Sequence, residues 1–230
     1  MRYQGGKSRI AAAIATQILR ERESNTFISL FCGTCSVESK MTGFDRVICN
    51  DNHLFLIEML IGVQLGYELP DSISKEQYDY IRTHKDEDHV LTGFVGFGCS
   101  FGGKWFGGYA RNAGVTNYAA RSKRSLLKDM AHLQRATFTW GDYREVIIPP
   151  GSVIYADPPY AGTTGYRNIK FDSIEFWEYM RLLSKNNQVF ISEQTAPPDF
   201  TCIWEKPFTR TLDRNKENQF KVTEKLFTMR

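Results

Sequence analysis

The chain has 230 residues, of which 42% are hydrophobic and 24% are charged, a size and balance that suit one α/β domain with a small insertion better than two large domains. A mean hydropathy of -0.38 without a long apolar run excludes a membrane span, and the polar-interrupted start of the chain lacks the pattern of a signal peptide. Five irregularly spaced cysteines are typical of reduced thiols in the cytoplasm, whereas a net charge of +3 is too small to indicate a nucleic-acid partner.

The first third of the chain alternates between helix and strand patterns. Apolar residues at helical spacing predict a helix over residues 7–22, entered through Gly5 and Gly6. The next elements are a strand at 26–31, a helix at 37–42 opened by a turn of small residues, a strand at 46–49 leading to Asp51, and an apolar helix at 54–65. This alternation is typical of a parallel, doubly wound sheet.

The middle of the chain has a different composition. Residues 90–128 contain no acidic residue but hold six lysines and arginines, eight glycines and several aromatic residues. Such a composition predicts a flexible, basic, aromatic insertion that meets phosphates and stacks on bases. The alternative is a glycine-rich segment whose aromatic side chains belong to the core.

Regular patterns resume after the insertion. We predict strands at 137–140, at 153–156 and at 188–192, and a helix at about 173–183 between the last two. Apolar residues from Phe200 to Phe227 predict an antiparallel hairpin that completes the sheet.

The segment Asp157-Pro158-Pro159-Tyr160, directly after an apolar strand, carries the strongest chemical signal. The two prolines have a fixed φ and no N–H donor, so the chain must leave the strand end as a stiff turn. The Asp157 carboxylate and the Pro158 carbonyl can both accept hydrogen bonds from one NH2 group, and the Tyr160 ring can stack on a flat heterocycle. This combination suits an extruded nucleobase.

Three other strand ends carry polar or glycine-rich residues, and ligands of open α/β sheets bind at such ends. At the first, the turn from Phe31 through Gly33 to Ser36 lets the backbone approach a ligand. Asp51, one strand over, stands where a ribose diol is held in nucleoside-binding sheets. Asp142, in the third, could hydrogen-bond an adenine amine.

These segments also match a known family in their order along the chain. They are Tyr3-Gln4-Gly5-Gly6-Lys7, Phe31-Cys32-Gly33-Thr34-Cys35-Ser36-Val37, Asp51, Gly141-Asp142-Tyr143, Asp157-Pro158-Pro159-Tyr160, Val189-Phe190-Ile191-Ser192 and Val222-Thr223-Glu224-Lys225-Leu226. Through them the chain resembles the Dam-type DNA adenine methyltransferases, which use S-adenosylmethionine, in the family's alpha arrangement. The resemblance extends nearly from end to end.

The resemblance implies a Rossmann-like S-adenosylmethionine-dependent methyltransferase fold: an α/β domain over residues 1–230 with a mixed seven-stranded sheet and an inserted target-recognition region at 68–135. It implies double-stranded DNA as partner, and we expect a cytoplasmic monomer that needs neither a metal nor a membrane. The expected catalytic residues are Asp157, Pro158 and Tyr160. The expected cofactor-binding residues are Tyr3, Gly6, Lys7, Phe31, Gly33, Asp51, Asp142 and Asp157. The expected DNA-binding residues are Lys104, Trp105, Tyr109, Arg111, Arg121, Lys123 and Arg124.

One departure and three alternatives accompany this hypothesis. Cys35 stands where the family usually has its second glycine, which matters if that position requires a positive φ. The acceptor could be a cytosine amine, because the same segment can hold either NH2 group. The chain could also be a catalytically inactive relative that only binds DNA, or an enzyme that acts on RNA or protein.

Overall fold

A mixed sheet of seven strands forms the centre of the protein. The computed structural model describes residues 1–111, 116–159, 171–211 and 219–229. The strands are β1 Thr26–Ser29, β2 Arg46–Asp51, β3 Thr137–Trp140, β4 Val153–Ala156, β5 Gln188–Glu193, β6 Thr201–Thr211 and β7 Gln219–Thr228. Their order is β3, β2, β1, β4, β5, β7, β6. From β3 to β5 neighbouring strands are parallel, whereas β7 is antiparallel to both β5 and β6. The predicted Rossmann-like fold class and the C-terminal hairpin are confirmed.

Helices cover both faces of the sheet. The described helices are α1 Ala11–Glu21, α2 Leu54–Gln64, α3 Lys75–Thr83, α4 His89–Gly93, α5 Tyr118–Met130 and α6 Ser173–Ser184. In β1, Phe27 packs in a cluster with α1, and its neighbour Ile28 packs in a cluster with α6. Successive residues of a strand point to opposite faces, so α1 and α6 lie on opposite sides. No helix in the described ranges is both long and apolar enough to cross a membrane.

The strand order places a crevice at the carboxyl ends of β1 and β4. The chain proceeds outward from β1 to β2 and β3 on one side, and from β4 to β5 on the other. Ligands of open α/β sheets bind where the order reverses in this way. The segments that follow β1 and β4 are therefore the ones that the fold brings to its binding edge.

The predicted helix at 37–42 is wrong. Only a single 3-10 turn, Glu38–Lys40, forms there. Gly43 follows with a φ of +73°, which ends any helical continuation, and a helix this short cannot offset the cost of its own nucleation. The first helix also begins later than predicted, at Ala11, because residues 7–10 form a turn in which Lys7 O accepts the N–H of Ile10.

The described part of the region 68–135 is largely helical. Its helices begin at side-chain caps, with a capping box at Ser74 and Gln77 before α3. After α4 the chain continues as a π-helix, Phe94–Gly98. Its glycines allow close packing, since a Cβ on Gly93 would lie 2.1 Å from the carbonyl oxygen of Phe55.

The aromatic side chains of this insertion are mostly interior, as in the alternative interpretation. Phe94 and Phe97 are fully buried, and Trp105, Phe106 and Tyr109 pack against the same hydrophobic cluster. The prediction that these aromatic rings form an exposed, base-stacking surface is therefore wrong for most of them. The role of residues 68–135 in target recognition stays a prediction.

Candidate active site

A buried lysine joins the start of the chain to the end of β4. Lys7 Nζ lies 2.7 Å from Asp157 Oδ1 and 3.3 Å from Glu224 Oε1. Lys7 is 6% exposed and Glu224 is fully buried, whereas the Asp157 side chain keeps 18% of its surface exposed. The acid at the end of β4 is therefore held by a buried lysine while part of its surface stays accessible to solvent.

The segment before α1 sets the position of this lysine. Gly6 N–H donates to Tyr3 O, and Lys7 O accepts the N–H groups of Ile10 and Ala11. Lys7 thus stands at the entrance of the helix, with its backbone fixed by two helical hydrogen bonds. Its side chain reaches across to β4, over a separation of 150 residues in sequence.

The turn after β1 is bound to the acid at the end of β2. Asp51 Oδ2 accepts the Gly33 N–H at 3.0 Å, and Oδ1 accepts the His53 N–H at 3.0 Å. Burial raises the pKa of Asp51 to about 6, although these backbone hydrogen bonds oppose the shift. A carboxylate has about four acceptor positions, so Asp51 retains capacity for a further donor such as a ribose hydroxyl.

The same turn contains two residues with positive φ. Gly33 has a φ of +51°, and a Cβ there would lie 3.2 Å from the Tyr3 ring. Cys35 has a φ of +57° and is completely buried. Cys35 therefore occupies a position where glycine is favoured. The resembled family usually has a glycine here, so the replacement of that glycine by cysteine has a conformational cost.

Three other predicted cofactor residues lie in the segments before α1, after β1 and after β3. The Tyr3 ring lies against Phe97, with centroids 5.1 Å apart. Phe31 is half-buried, 5.0 Å from the Tyr143 ring. Asp142 caps the 3-10 turn Tyr143–Glu145 and is bound by the Arg144 guanidinium at 2.7 and 2.8 Å. This arrangement gives Asp142 a structural role of its own.

Two further carboxyls at this edge, those of Glu38 and Glu193, are not among the residues predicted from the sequence. Glu38, 2% exposed, lies 2.6 Å from Ser29 Oγ, and burial raises its pKa to about 8. Burial raises the pKa of Glu193, at the end of β5, to about 7, with contributions from the charges of Asp157 and Glu224. A sequence signal existed for Glu224, since it shares its side of the strand pattern with the apolar residues Val222 and Leu226, and a charged residue on a buried face requires a partner.

The remaining residues of the Asp157 segment differ in exposure. Pro158 is buried and Pro159 is exposed. Tyr160, predicted to stack on the base, lies outside the described residues. Within the described ranges no group of three His, Cys, Asp or Glu side chains is arranged to hold a metal ion.

The predicted DNA-binding residues fall into two groups. Lys104, Arg111, Arg121 and Arg124 are exposed. Trp105 and Tyr109 are half-buried, and Lys123 lies 2.9 Å from Asp71. Phe101 is not among the predicted DNA-binding residues, yet it is 64% exposed. It lies in the 3-10 turn Phe101–Gly103, where Gly103 O accepts a hydrogen bond from Gln4 N–H.

The chain is similar to known proteins over part of its sequence and over most of its structure. Residues 3–89 match the family model of D12 class N6 adenine-specific DNA methyltransferases, a range that includes Lys7, Gly33 and Asp51 and ends before Asp157. No curated protein matches the chain in sequence.

Among solved structures, a proposed RNA methyltransferase from Pyrococcus horikoshii is similar, with 11% identity, 96% of this chain and 83% of that chain covered, and a TM-score of 0.47. The rRNA methyltransferase aviRa from Streptomyces viridochromogenes has 12% identity, with 98% of this chain and 86% of that chain covered, and a TM-score of 0.44. At such identities and TM-scores, neither structure gives information on the substrate.

Proposed function

We propose that this protein transfers a methyl group from S-adenosylmethionine to the exocyclic amine of adenine in double-stranded DNA. The observation that carries the proposal is the contact of 2.7 Å between Lys7 and Asp157. It joins the N-terminal segment, which lies in the range matched by the adenine methyltransferase family model, to the turn Asp157-Pro158-Pro159. The carboxylate and carbonyl oxygens of this turn can accept hydrogen bonds from an amine.

The residues around the crevice are suited to S-adenosylmethionine. Gly33 leaves room for the Tyr3 ring, where a larger side chain would press on it. Asp51 would hold the ribose hydroxyls, and Tyr3 and Phe31 would line the wall. Both carboxylate oxygens of Asp142 accept hydrogen bonds from Arg144. To hold the adenine amine of the cofactor, one of these oxygens would accept a second hydrogen bond. When bound, the cofactor supplies an electrophilic methyl group on a sulfonium.

Asp157 and Pro158 would hold and orient the acceptor amine. The lone pair of an adenine amine is delocalised into the ring, so the nitrogen is a poor nucleophile. One N–H would donate to the Asp157 carboxylate and the other to the Pro158 carbonyl, which favours a pyramidal nitrogen with its lone pair toward the methyl group. The nitrogen–carbon bond forms as the sulfur–carbon bond breaks, and the amine proton then passes to Asp157 and on to water.

DNA would approach over the insertion. Arg121, Arg124 and Lys128 follow one another at helical spacing on the exposed face of α5, where they can contact successive phosphates. Tyr160 would stack on the extruded base and offset part of the cost of unstacking.

The test is incubation of the protein with mixed-sequence genomic DNA and isotopically labelled S-adenosylmethionine, followed by digestion and mass spectrometry of the nucleosides. The proposal predicts label in N6-methyladenine. Label in N4-methylcytosine would assign the protein to cytosine amines. Binding of DNA without transfer of label would identify a non-catalytic relative.

A further inference from the structure

The carboxylate of Asp142, which follows β3, is fixed by one arginine. Its Oδ1 accepts hydrogen bonds from the backbone N–H and the Nε–H of Arg144, at 2.9 and 2.8 Å, and its Oδ2 accepts one from Nη2 at 2.7 Å. A planar guanidinium that binds both oxygens of a carboxylate in this way also sets the plane of the carboxylate. Asp142 therefore has a defined orientation at the end of β3.

Arg144 is itself held by helix α6. Its Nη1 donates to Glu175 Oε1 in the first turn of α6, and its backbone carbonyl accepts the hydroxyl of Tyr179 at 3.2 Å. These contacts restrain the guanidinium and the backbone of Arg144 from the same helix. The orientation of Asp142 is thus set by the packing of α6 as well as by the local turn.

The end of β3 is also where the base of an adenosine cofactor would lie. Asp51, expected to hold the ribose, pairs with Trp140, the last residue of β3, and its carbonyl accepts the Gly141 N–H at 3.2 Å. Asp157, expected beside the methyl group, follows β4, and β1 separates β4 from β2. The sulfur and the base of S-adenosylmethionine are attached on opposite sides of the ribose ring. A cofactor with its sulfur near β4 and its ribose at β2 has its base near β3, beside Asp142.

An acceptor at this position distinguishes a purine with a 6-amino group from one with a 6-oxo group. The hydrogen bonds from Arg144 hold the pKa of Asp142 below its usual value, so at neutral pH its carboxylate only accepts hydrogen bonds. Oδ1 has two donors, whereas Oδ2 has one among the residues that the structure describes. Oδ2 can therefore accept a further N–H. The exocyclic amine of adenine supplies one, and the carbonyl oxygen of hypoxanthine does not.

We propose that Arg144 determines the purine selectivity of the cofactor site by holding Oδ2 of Asp142 toward the exocyclic amine of the base. This inference rests on the proposed function and adds a residue to it. Arg144 acts through Asp142 and does not touch the reacting atoms, so it is a positioning residue.

The test compares the affinities of S-adenosylhomocysteine and S-inosylhomocysteine by calorimetry, since these ligands differ only in the base. The wild type should prefer the adenosyl ligand. Arg144→Met keeps a long side chain without the guanidinium. We expect its affinity for S-adenosylhomocysteine to fall about fivefold, as is typical of a partly exposed ion pair, and its affinity for S-inosylhomocysteine to change by less than about twofold. Equal changes for both ligands, or no change for either, would overturn the inference.

Two further measurements make the test specific to Asp142. The ammonium of Arg144→Lys can bind one oxygen of Asp142 but cannot set the plane of the carboxylate, so its preference should lie between those of the wild type and Arg144→Met. In an Asp142→Ala background, Arg144→Met should leave the preference unchanged, because the carboxylate through which Arg144 acts is absent. A preference that still falls in this background would contradict the proposal, as would a preference in Arg144→Lys no higher than in Arg144→Met.

Arg181 provides a matched control on the same helix. Its guanidinium binds both oxygens of Asp199 through the same two nitrogens, and its side chain is 37% exposed against 41% for Arg144. Arg181→Met should leave the preference between the two ligands unchanged, and a loss of preference equal to that in Arg144→Met would contradict the proposal.

The wild-type measurement separates this inference from the proposed function. Wild-type protein that binds neither ligand would overturn both. Wild-type protein that binds both ligands equally, or whose preference for the adenosyl ligand persists in Arg144→Met, would overturn the inference about Arg144 and leave the proposed function standing.

Discussion

At the scale of single residues, Cys35 has the most unusual conformation in the candidate site. Its φ of +57° lies in the left-handed region, which costs a residue with a Cβ about 1–2 kcal/mol. The neighbouring Gly33, at +51°, has no such cost. The turn after β1 therefore has a backbone that suits glycine at both positions, although the second position is occupied by Cys35.

This strain predicts an inverted order of stability for two substitutions. Cys35→Gly and Cys35→Ala both remove the buried thiol, but only alanine keeps a Cβ at the positive φ. We expect Cys35→Gly to be more stable than Cys35→Ala by about 1 kcal/mol in urea unfolding. The control is Cys49, buried in β2, where alanine should be the more stable of the two. The same order at both positions would contradict the account of Cys35.

The Lys7 contacts show what sequence reasoning could and could not find at this scale. Asp157 and Asp51 were predictable because strand ends meet at one edge of a parallel sheet. The contact of Lys7 with Glu224 was not predictable from the sequence. These side chains lie more than two hundred residues apart and meet only because β7 pairs with β5. Distances between side chains of this kind are decided by tertiary packing, which periodicity does not encode.

At the scale of elements, strands were predicted better than the segments between them. Strands β1 to β5 lie where their apolar, β-branched runs predict them. The segment at 37–42 has apolar residues at its ends but forms one turn, because Gly43 follows too soon. In the insertion, glycine density indicated flexibility, whereas Gly93 and Gly96 have no room for a Cβ and permit close packing.

Helix α5 supports a prediction about DNA affinity. Arg121 and Arg124 are exposed on its outer face, whereas Lys123 is paired with Asp71 at 2.9 Å. If these arginines contact phosphates, replacing either by alanine should make the slope of log affinity against log salt concentration shallower by about 1. Binding of duplex DNA at several salt concentrations, measured by fluorescence anisotropy, gives this slope.

Lys123→Ala is the control for this series, because the ammonium of Lys123 already has a carboxylate partner. Its effect on the slope should be smaller than that of either arginine. An unchanged slope in both Arg121→Ala and Arg124→Ala would show that DNA does not approach over this face of α5.

At the scale of the whole molecule, buried carboxyls make stability depend on pH. Glu38 has its pKa raised from 4.5 to about 8, chiefly by burial, so at neutral pH it keeps its proton when folded and loses it when unfolded. A carboxyl whose pKa is higher in the folded than in the unfolded protein contributes its full stabilisation below the pKa of the unfolded state. This stabilisation is lost as the pH rises through the pKa of the folded state. Glu193, raised to about 7, acts in the same direction.

We therefore expect the free energy of unfolding to decrease between pH 6.5 and pH 8, with Glu38 contributing at most about 1.4 kcal/mol per pH unit and less as the pH nears 8. Glu38→Gln keeps a partner for Ser29 and cannot ionise, so its stability should fall less steeply over this range. Urea unfolding at half-unit steps of pH measures both slopes. Identical slopes in the wild type and Glu38→Gln would show that Glu38 is ionised in the folded protein.

The central claim is that Asp157 holds the acceptor amine beside the methyl donor, and one paired measurement on Asp157→Ala tests it most directly. Methyl transfer to DNA is measured alongside calorimetric affinity for S-adenosylmethionine, with wild-type protein as reference. The account predicts that methyl transfer is lost while the cofactor still binds. A variant that binds the cofactor and retains most of its methyl transfer would contradict it.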